Sequence, residues 1–160
     1  MIDLFNPESL RRVWRSGQPF CVVRKISNQS LNSGTLTDVT WDIEDTNNDL
    51  WGMHDTSTNS ERINIPITGR YLIKATLDWE TNATGLRRIT VSEVGVLNKF
   101  LDSNIILSSG STLSTVHQST SIFHLSAGTY VKVQGRQDSG GALNILTNNV
   151  HSQFGVVRIG

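Results

Sequence analysis

Hydrophobic and polar residues alternate along much of this chain, which is the pattern of half-buried β-strands. The clearest case is the segment Gly69–Trp79. One of its faces carries Tyr71, Ile73, Ala75, Leu77 and Trp79. The opposite face carries Arg70, Lys74, Thr76 and Asp78, with Leu72 as the apolar exception. Because successive side chains of a strand point to opposite sides, we expect one face to enter a core and the other to meet water or a polar subunit contact.

The same alternation predicts roughly ten strands separated by turn clusters rich in Gly, Asn and Ser. They are residues 20–26, 36–43, 61–65, 69–79, 87–97, 104–107, 114–125, 129–137, 143–146 and 153–159. Short strands at this spacing are typical of an antiparallel sandwich or barrel. Since the last predicted strand runs almost to the final residue, we expect the C-terminus to lie inside a sheet and its truncation to unfold the domain.

A single helix is predicted, near the start of the sequence. Asn6 is a capping residue, Pro7 suits the first helical position and Gly17 ends the pattern. Because so short a helix is marginal in isolation, it needs its own domain or a partner to pack against. The chain is therefore divided into an N-terminal arm, residues 1–18, and one β domain, residues 19–160.

The charges of the chain cancel but are unevenly distributed. Fourteen basic and fourteen acidic residues argue against a general role in nucleic-acid binding. Basic residues cluster before position 26, and acidic residues follow between positions 38 and 61. This separation indicates either two solvated surfaces or head-to-tail docking and anchoring onto an acidic partner. The apolar runs are short, so membrane insertion is not expected.

No residue pattern predicts catalysis or a cofactor. Cys21 lies in an apolar run and is expected to be a buried, inert thiol. The four histidines are scattered, and His117 and His124 fall on opposite faces of one predicted strand, so a zinc site is not indicated. Residues 42–49 offer oxygen ligands that make calcium possible, but without the spacing of a helical calcium loop a solvated loop is favoured. We therefore expect no enzymatic activity.

Several short motifs occur along the chain in a recognisable order. They are VTWDIE at 39–44, WGMHD at 51–55, RINIP at 62–66, TGRYLIKA at 68–75, NATGLR at 82–87, LSAGTYV at 125–131 and QDSGGAL at 137–143. This series resembles the jelly-roll domain of the complement globular-head and tumour-necrosis-factor superfamily. It is most similar to the versions found in structural proteins of tailed bacteriophages. The resemblance covers about residues 20–160.

The resemblance implies an all-β, ten-strand antiparallel jelly roll that usually assembles into a compact homotrimer. In such trimers one face of an inner sheet meets neighbouring subunits. Strand 69–79 would belong to that sheet, together with the opening strand, the strand at 129–137 and the last strand. Leu72, Lys74 and Thr76 are then candidate residues of the trimer interface.

The function implied is structural. No collagen stalk, coiled coil or fibre shaft precedes the domain in this sequence, which favours a subunit seated on a larger particle. We expect a trimeric capsid decoration or minor capsid protein on the virion surface of a tailed phage, with the major capsid or another virion protein as partner. The candidate docking residues of the arm are Arg11, Arg12, Trp14 and Arg15.

Two other classes of function stay open. One is a tail or fibre adhesin that binds a host-surface saccharide or protein through exposed loops, including the loop of Trp51. The other, with the least support, is a glycan hydrolase, which needs two converging carboxylates in a cleft.

Overall fold

The structure, a computed structural model, describes residues 17–44, 49–95, 99–108, 110, 113–147 and 152–160. These residues form strands and turns, without a helix. The strands are β1 Phe20–Arg24, β2 Gln29–Leu31, β3 Thr37–Asp38, β4 Ile43–Glu44, β5 Arg62–Asn64, β6 Gly69–Trp79, β7 Leu86–Val94, β8 Lys99–Leu107, β9 Thr115–Leu125, β10 Tyr130–Gln137, β11 Leu143–Ile145 and β12 Gln153–Arg158. The all-β prediction is confirmed, and the predicted helix lies outside the described residues.

Two antiparallel sheets form a sandwich. The seven-stranded sheet runs β9–β6–β12–β1–β4, and β11 and β2 extend it beyond the end of β12. In the five-stranded sheet β10 pairs with β3 and β5 on one side and with β7 on the other, and β8 follows β7. Strands β8 and β9 are thus edge strands of different sheets, and they contact each other along one side of the sandwich.

Each of the ten predicted strands has a counterpart, with three differences. Strand β8 begins at Lys99, whereas the predicted strand begins at residue 104. The predicted strand 36–43 is two short strands, because the chain crosses between the sheets there: β3 belongs to the five-stranded sheet and β4 to the seven-stranded sheet. Trp41 is buried at the crossing, and its backbone N–H donates to the carbonyl of Ser60 at 2.9 Å. The short strand β2 occupies residues that the sequence predicts as a turn.

One sheet assignment implied by the resemblance is wrong. Strands β1, β6 and β12 do share a sheet, but β10 lies in the other one and pairs with β7. The turn before β10 explains this, because Thr129 N–H donates to Ser126 O and Gly128 adopts a φ of 84°. This turn carries the chain from the end of β9 across the sandwich to the opposite sheet.

The core lies between the two sheets and uses the predicted face of β6. Tyr71, Ile73, Ala75, Leu77 and Trp79 are all buried in it. They share it with residues of the facing sheet, Ile89, Val91, Val131 and Val133. Each such side chain contributes about 1.5–3 kcal/mol to folding by leaving water. The apolar alternation of β6 is therefore a core signal, as predicted.

Candidate subunit interface

The outer face of the seven-stranded sheet carries a second group of buried apolar residues. Phe20 and Val22 of β1, Leu72 of β6 and Val157 of β12 alternate with core residues and so point away from the core. The register sets Val157 between Phe20 and Leu72. All four side chains are buried, and Leu72 has the largest exposed fraction, 8%. At these four residues the sheet is therefore apolar on both faces, whereas Lys74 and Thr76 make the outer face polar farther along β6.

The three predicted interface residues lie side by side on this outer face. Leu72, Lys74 and Thr76 stand opposite Val157, Gly155 and Gln153 of β12 on one side. On the other side they stand opposite Ile122, Thr120 and Gln118 of β9. Leu72 and Thr76 are buried within the single chain and Lys74 is half-buried, so the accessible part of the face lies mainly on β9.

Sequence reasoning missed Phe20, Val22 and Val157 as members of this outer layer. A usable signal was present, because residues 20–23 and 156–157 are apolar without alternation. A continuous apolar run in a strand indicates burial on both faces, whereas alternation indicates burial on one.

The edge strands β8 and β9 carry exposed apolar side chains on the outer faces of their two different sheets. On β9 these are Val116 and Ile122, and on β8 they are Phe100, Ile105 and Leu107. Ile122 is 58% exposed and Leu107 is 81% exposed. A long edge strand with apolar side chains and a free backbone edge readily pairs or packs with another chain. This side of the sandwich is therefore suited to a protein contact.

The candidate docking residues of the arm, Arg11, Arg12, Trp14 and Arg15, lie outside the described residues.

The carboxylates of the candidate calcium loop are engaged by the protein. Asp42 accepts hydrogen bonds from Ile26 N–H at 2.8 Å and from Ser27 N–H at 2.9 Å, and Lys25 Nζ lies 3.6 Å away. Partial burial opposes ionisation, but these hydrogen bonds and the Lys25 charge lower the pKa of Asp42. Residues 45–48 lie outside the described part. Among the residues that the structure describes, no cluster of three or more His, Cys, Asp or Glu side chains could hold a metal ion.

His54 is held by two acceptors beside this loop. Its side chain is fully buried, Nδ1 lies 2.8 Å from Glu44 Oε1, and Nε2 lies 3.1 Å from Ser60 O. These two contacts join β4 to the loop that leads into β5.

His117 and nearby serines do not form a catalytic group. Ser119 and Ser121 both donate to the carboxylate of Asp102. His117 is buried, and neither ring nitrogen has a hydrogen-bond partner within the described chain. Desolvation lowers the pKa of His117 to about 4, against the opposing effect of the Asp102 charge. Since no serine is hydrogen-bonded to the imidazole, this cluster lacks the nucleophile–base contact of acyl transfer.

The thiol of Cys21 is buried in the core, and burial raises its pKa well above the usual value, with the charges of Asp49 and Glu44 adding to the effect. It is therefore an unreactive thiol, as the sequence predicts. Within the described segments, no helix is long and apolar enough to span a membrane.

Comparison with known proteins identifies the fold. No family model matches the chain, and no curated protein matches it. Among solved structures, murine APRIL at pH 5.0 is similar at 18% identity and a TM-score of 0.65, covering 89% of this chain and 99% of its own. Eiger TNF from S. frugiperda is similar at 16% identity and a TM-score of 0.66, covering 89% of this chain and 94% of its own.

The globular domain of zebrafish complement 1qA protein is similar at 12% identity and a TM-score of 0.62, covering 89% of this chain and 98% of its own. At these identities the likeness concerns the fold alone. The chain therefore has the jelly-roll fold of the tumour-necrosis-factor and complement globular-head domains.

Proposed function

We propose that this chain is a non-enzymatic virion structural protein of a tailed phage, and that three copies form a jelly-roll trimer that serves as a capsid decoration or minor capsid protein. The observation that carries the trimer is the exposed apolar surface of edge strand β9. Packing this edge against the outer face of the neighbour's seven-stranded sheet buries it in a head-to-tail contact, and such a contact gives a ring when the rotation closes. The virion assignment rests on the ordered motifs of the sequence and on the basic arm.

The proposed contact uses the accessible part of the outer face. Val116 and Ile122 of β9 supply exposed apolar area, and half-buried Lys74 lies beside them on β6. Leu72 and Thr76 lie under this surface and support it. Mixed apolar and polar character is usual for a subunit contact, with apolar side chains at its centre.

Light scattering of the purified protein tests the trimer. We expect a mass three times the 17.7 kDa of the chain. Ile122→Asp should yield monomers, because a charge would be buried without a partner in the contact. Ile67→Asp is the matched control, since Ile67 is also partly exposed but lies in the loop before β6. A wild-type monomer at micromolar concentration would overturn the trimer.

Attachment to the particle is assigned to the arm with Arg11, Arg12, Trp14 and Arg15. Three arms on one trimer bind together, so weak single contacts give tight attachment. A variant lacking residues 1–17 should remain a folded trimer and lose binding to purified particles. Binding retained by that variant would contradict the role of the arm.

The place on the virion is tested by electron microscopy of particles assembled with and without this chain. Decoration of the capsid predicts that regular density disappears from the head. Loss of density from the tail instead would reject capsid decoration and favour a tail or fibre adhesin.

One observation favours that second function. Leu50 and Trp51 are exposed at a turn, and Trp51 keeps 44% of its surface in solvent. The carboxylate of Asp49 fixes this turn by accepting from Met53 N–H and His54 N–H, both at 2.8 Å. A preorganised exposed tryptophan can anchor a host saccharide or protein. Under this alternative, Trp51→Ala abolishes binding to host cells and leaves the oligomeric state unchanged; unchanged binding contradicts it.

A further inference from the structure

The outer face of the five-stranded sheet carries two pairs of like charges. On β10, Lys132 stands opposite Arg62 of β5, and Arg136 stands opposite Arg88 of β7. Directly opposed side chains in antiparallel strands have Cβ atoms about 5 Å apart, and like charges there are destabilising. The two pairs are four residues apart, or about 13 Å along the strand. This face is therefore strongly basic, although the chain as a whole is neutral.

The first pair is compensated within the protein. Lys132 Nζ lies 2.9 Å from the carboxylate of Asp38, which is the acidic residue on the described strands of this face. The guanidinium of Arg62 lies over the ring of Tyr130, with 4.7 Å between its central carbon and the ring centroid. This end of the face therefore needs no external anion.

The second pair is not compensated. Arg88 Nε donates to the hydroxyl of Ser103 at 2.8 Å, and Arg136 Nε is buried without an acceptor. The nearby carboxylate of Asp138 accepts from Leu86 N–H instead. Among the described residues, neither guanidinium is paired with a carboxylate. Two opposed cations and an unused donor therefore lie together at this end of the face.

We propose that Arg88 and Arg136 bind the acidic group of an anionic saccharide. Each guanidinium offers a planar fork of N–H donors that matches a carboxylate, and a single oxyanion between the two would remove both their repulsion and the unused donor. Towards the other charge pair, Thr90 and Ser92 are buried, and the partly exposed amide of Gln134 is the group that suits the hydroxyl of a neighbouring sugar unit.

The polarity of this area favours a saccharide over an acidic protein segment. Protein interfaces generally place apolar side chains at their centre. Here the residues between the charge pairs are polar, and the exposed apolar side chains of this face lie at its margin on edge strand β8, where Ile105 stands opposite Arg88. The site is on the opposite sheet from the proposed β6–β9 contact. The inference therefore goes beyond the proposed function and does not depend on it.

Calorimetric titration with defined probes tests the site. We expect the intact protein to bind an oligogalacturonate, which carries one carboxylate per sugar, and not a neutral maltooligosaccharide of equal length. Arg88→Gln and Arg136→Gln should each weaken binding at least about tenfold, as expected for loss of a charge-assisted contact. Arg70→Gln is the matched control, because Arg70 is exposed on the other sheet. Affinity should fall as salt is raised.

The remaining outcomes decide against the proposal. Equal binding by wild type and both variants, or no binding of the oligogalacturonate, overturns the site. Tighter binding of an oligoglutamate peptide overturns the saccharide as ligand, and saturation by inorganic sulfate alone at the same affinity shows a simple ion site. Thermal unfolding separates binding from structure, because removing one of two like charges should leave stability unchanged or raise it. A clear loss of stability in both variants would make the pair structural and reject the site.

Discussion

Protonation of the buried His117 is expected to destabilise the folded domain at acidic pH. Desolvation lowers its pKa to about 4 in the folded chain, below the ordinary histidine value of 6.5. Between these values the unfolded chain binds the proton more strongly, so stability is fully present above pH 6.5 and falls as the pH is lowered towards 4. The whole shift corresponds to about 3 kcal/mol. We predict that urea unfolding shows a loss of this order between pH 7 and pH 4.

His117→Leu separates this effect from the titration of carboxylates. The leucine stays on the core-facing side of β9, opposite Leu77, and cannot take up a proton. We expect the variant to lose most of the pH dependence between pH 6.5 and 4. His124→Leu is the control, since His124 is exposed on the other face of the same strand and should keep the wild-type slope. Equal slopes in all three proteins would contradict the prediction.

His54 is predicted to stabilise the loop before β5 through its two side-chain contacts. His54→Leu leaves Glu44 and Ser60 O without their donor and should cost about 2–3 kcal/mol, because a buried acceptor loses its partner while Glu44 is partly solvated. Urea unfolding of the variant and the wild type measures this loss, and equal stability of the two proteins would refute the prediction.

Strand alternation predicted which face of an element is buried but not which sheet the element joins. Residues of β6 alternate, and their core face followed directly from the sequence. The sheet that β10 joins depends on the turn at Gly128 and on pairing with β7, which is distant in sequence. Periodicity within one strand therefore could not predict it. The partners of His54 and the opposition of Arg88 and Arg136 are likewise products of folding, because register sets them.

Gly135 lies on the core face of β10, where this strand closely approaches the opposite sheet. A Cβ there would lie 2.8 Å from Leu31 Cδ2 and 2.9 Å from Trp79 Cη2. We predict that Gly135→Ala lowers the free energy of unfolding by about 1–3 kcal/mol, the usual cost of overpacking a core. Gly141→Ala is the control, since no atom lies within 4 Å of its Cβ position. Denaturant unfolding measures the stability of both variants. Equal stability of Gly135→Ala and the wild type would show that the two sheets move apart to admit the methyl group without loss of stability.

At the scale of the whole molecule, the outer faces of the two sheets have different chemistry. One combines a buried apolar patch with the exposed Val116 and Ile122 of β9, while the other carries four basic residues beside the exposed apolar residues of β8. The net charge of the chain is nevertheless zero, because acidic residues such as Asp42 and Asp49 lie in loops outside both faces. Self-association through one sheet would leave the basic face of the other free to meet a ligand.

The C-terminal strand is predicted to be indispensable for the folding of the whole domain. Strand β12 lies between β6 and β1 and is bonded to both. Its buried Phe154, Val156 and Val157 contribute about 5–9 kcal/mol together. That is as large as the net stability of a typical domain, about 5–15 kcal/mol. Deleting residues 153–160 should therefore abolish the β-sheet circular dichroism signal and the protection against proteolysis. Ile159→Ser, which changes a partly exposed side chain beyond β12, should preserve both, and a folded truncated chain would show that the two halves of the seven-stranded sheet are stable apart.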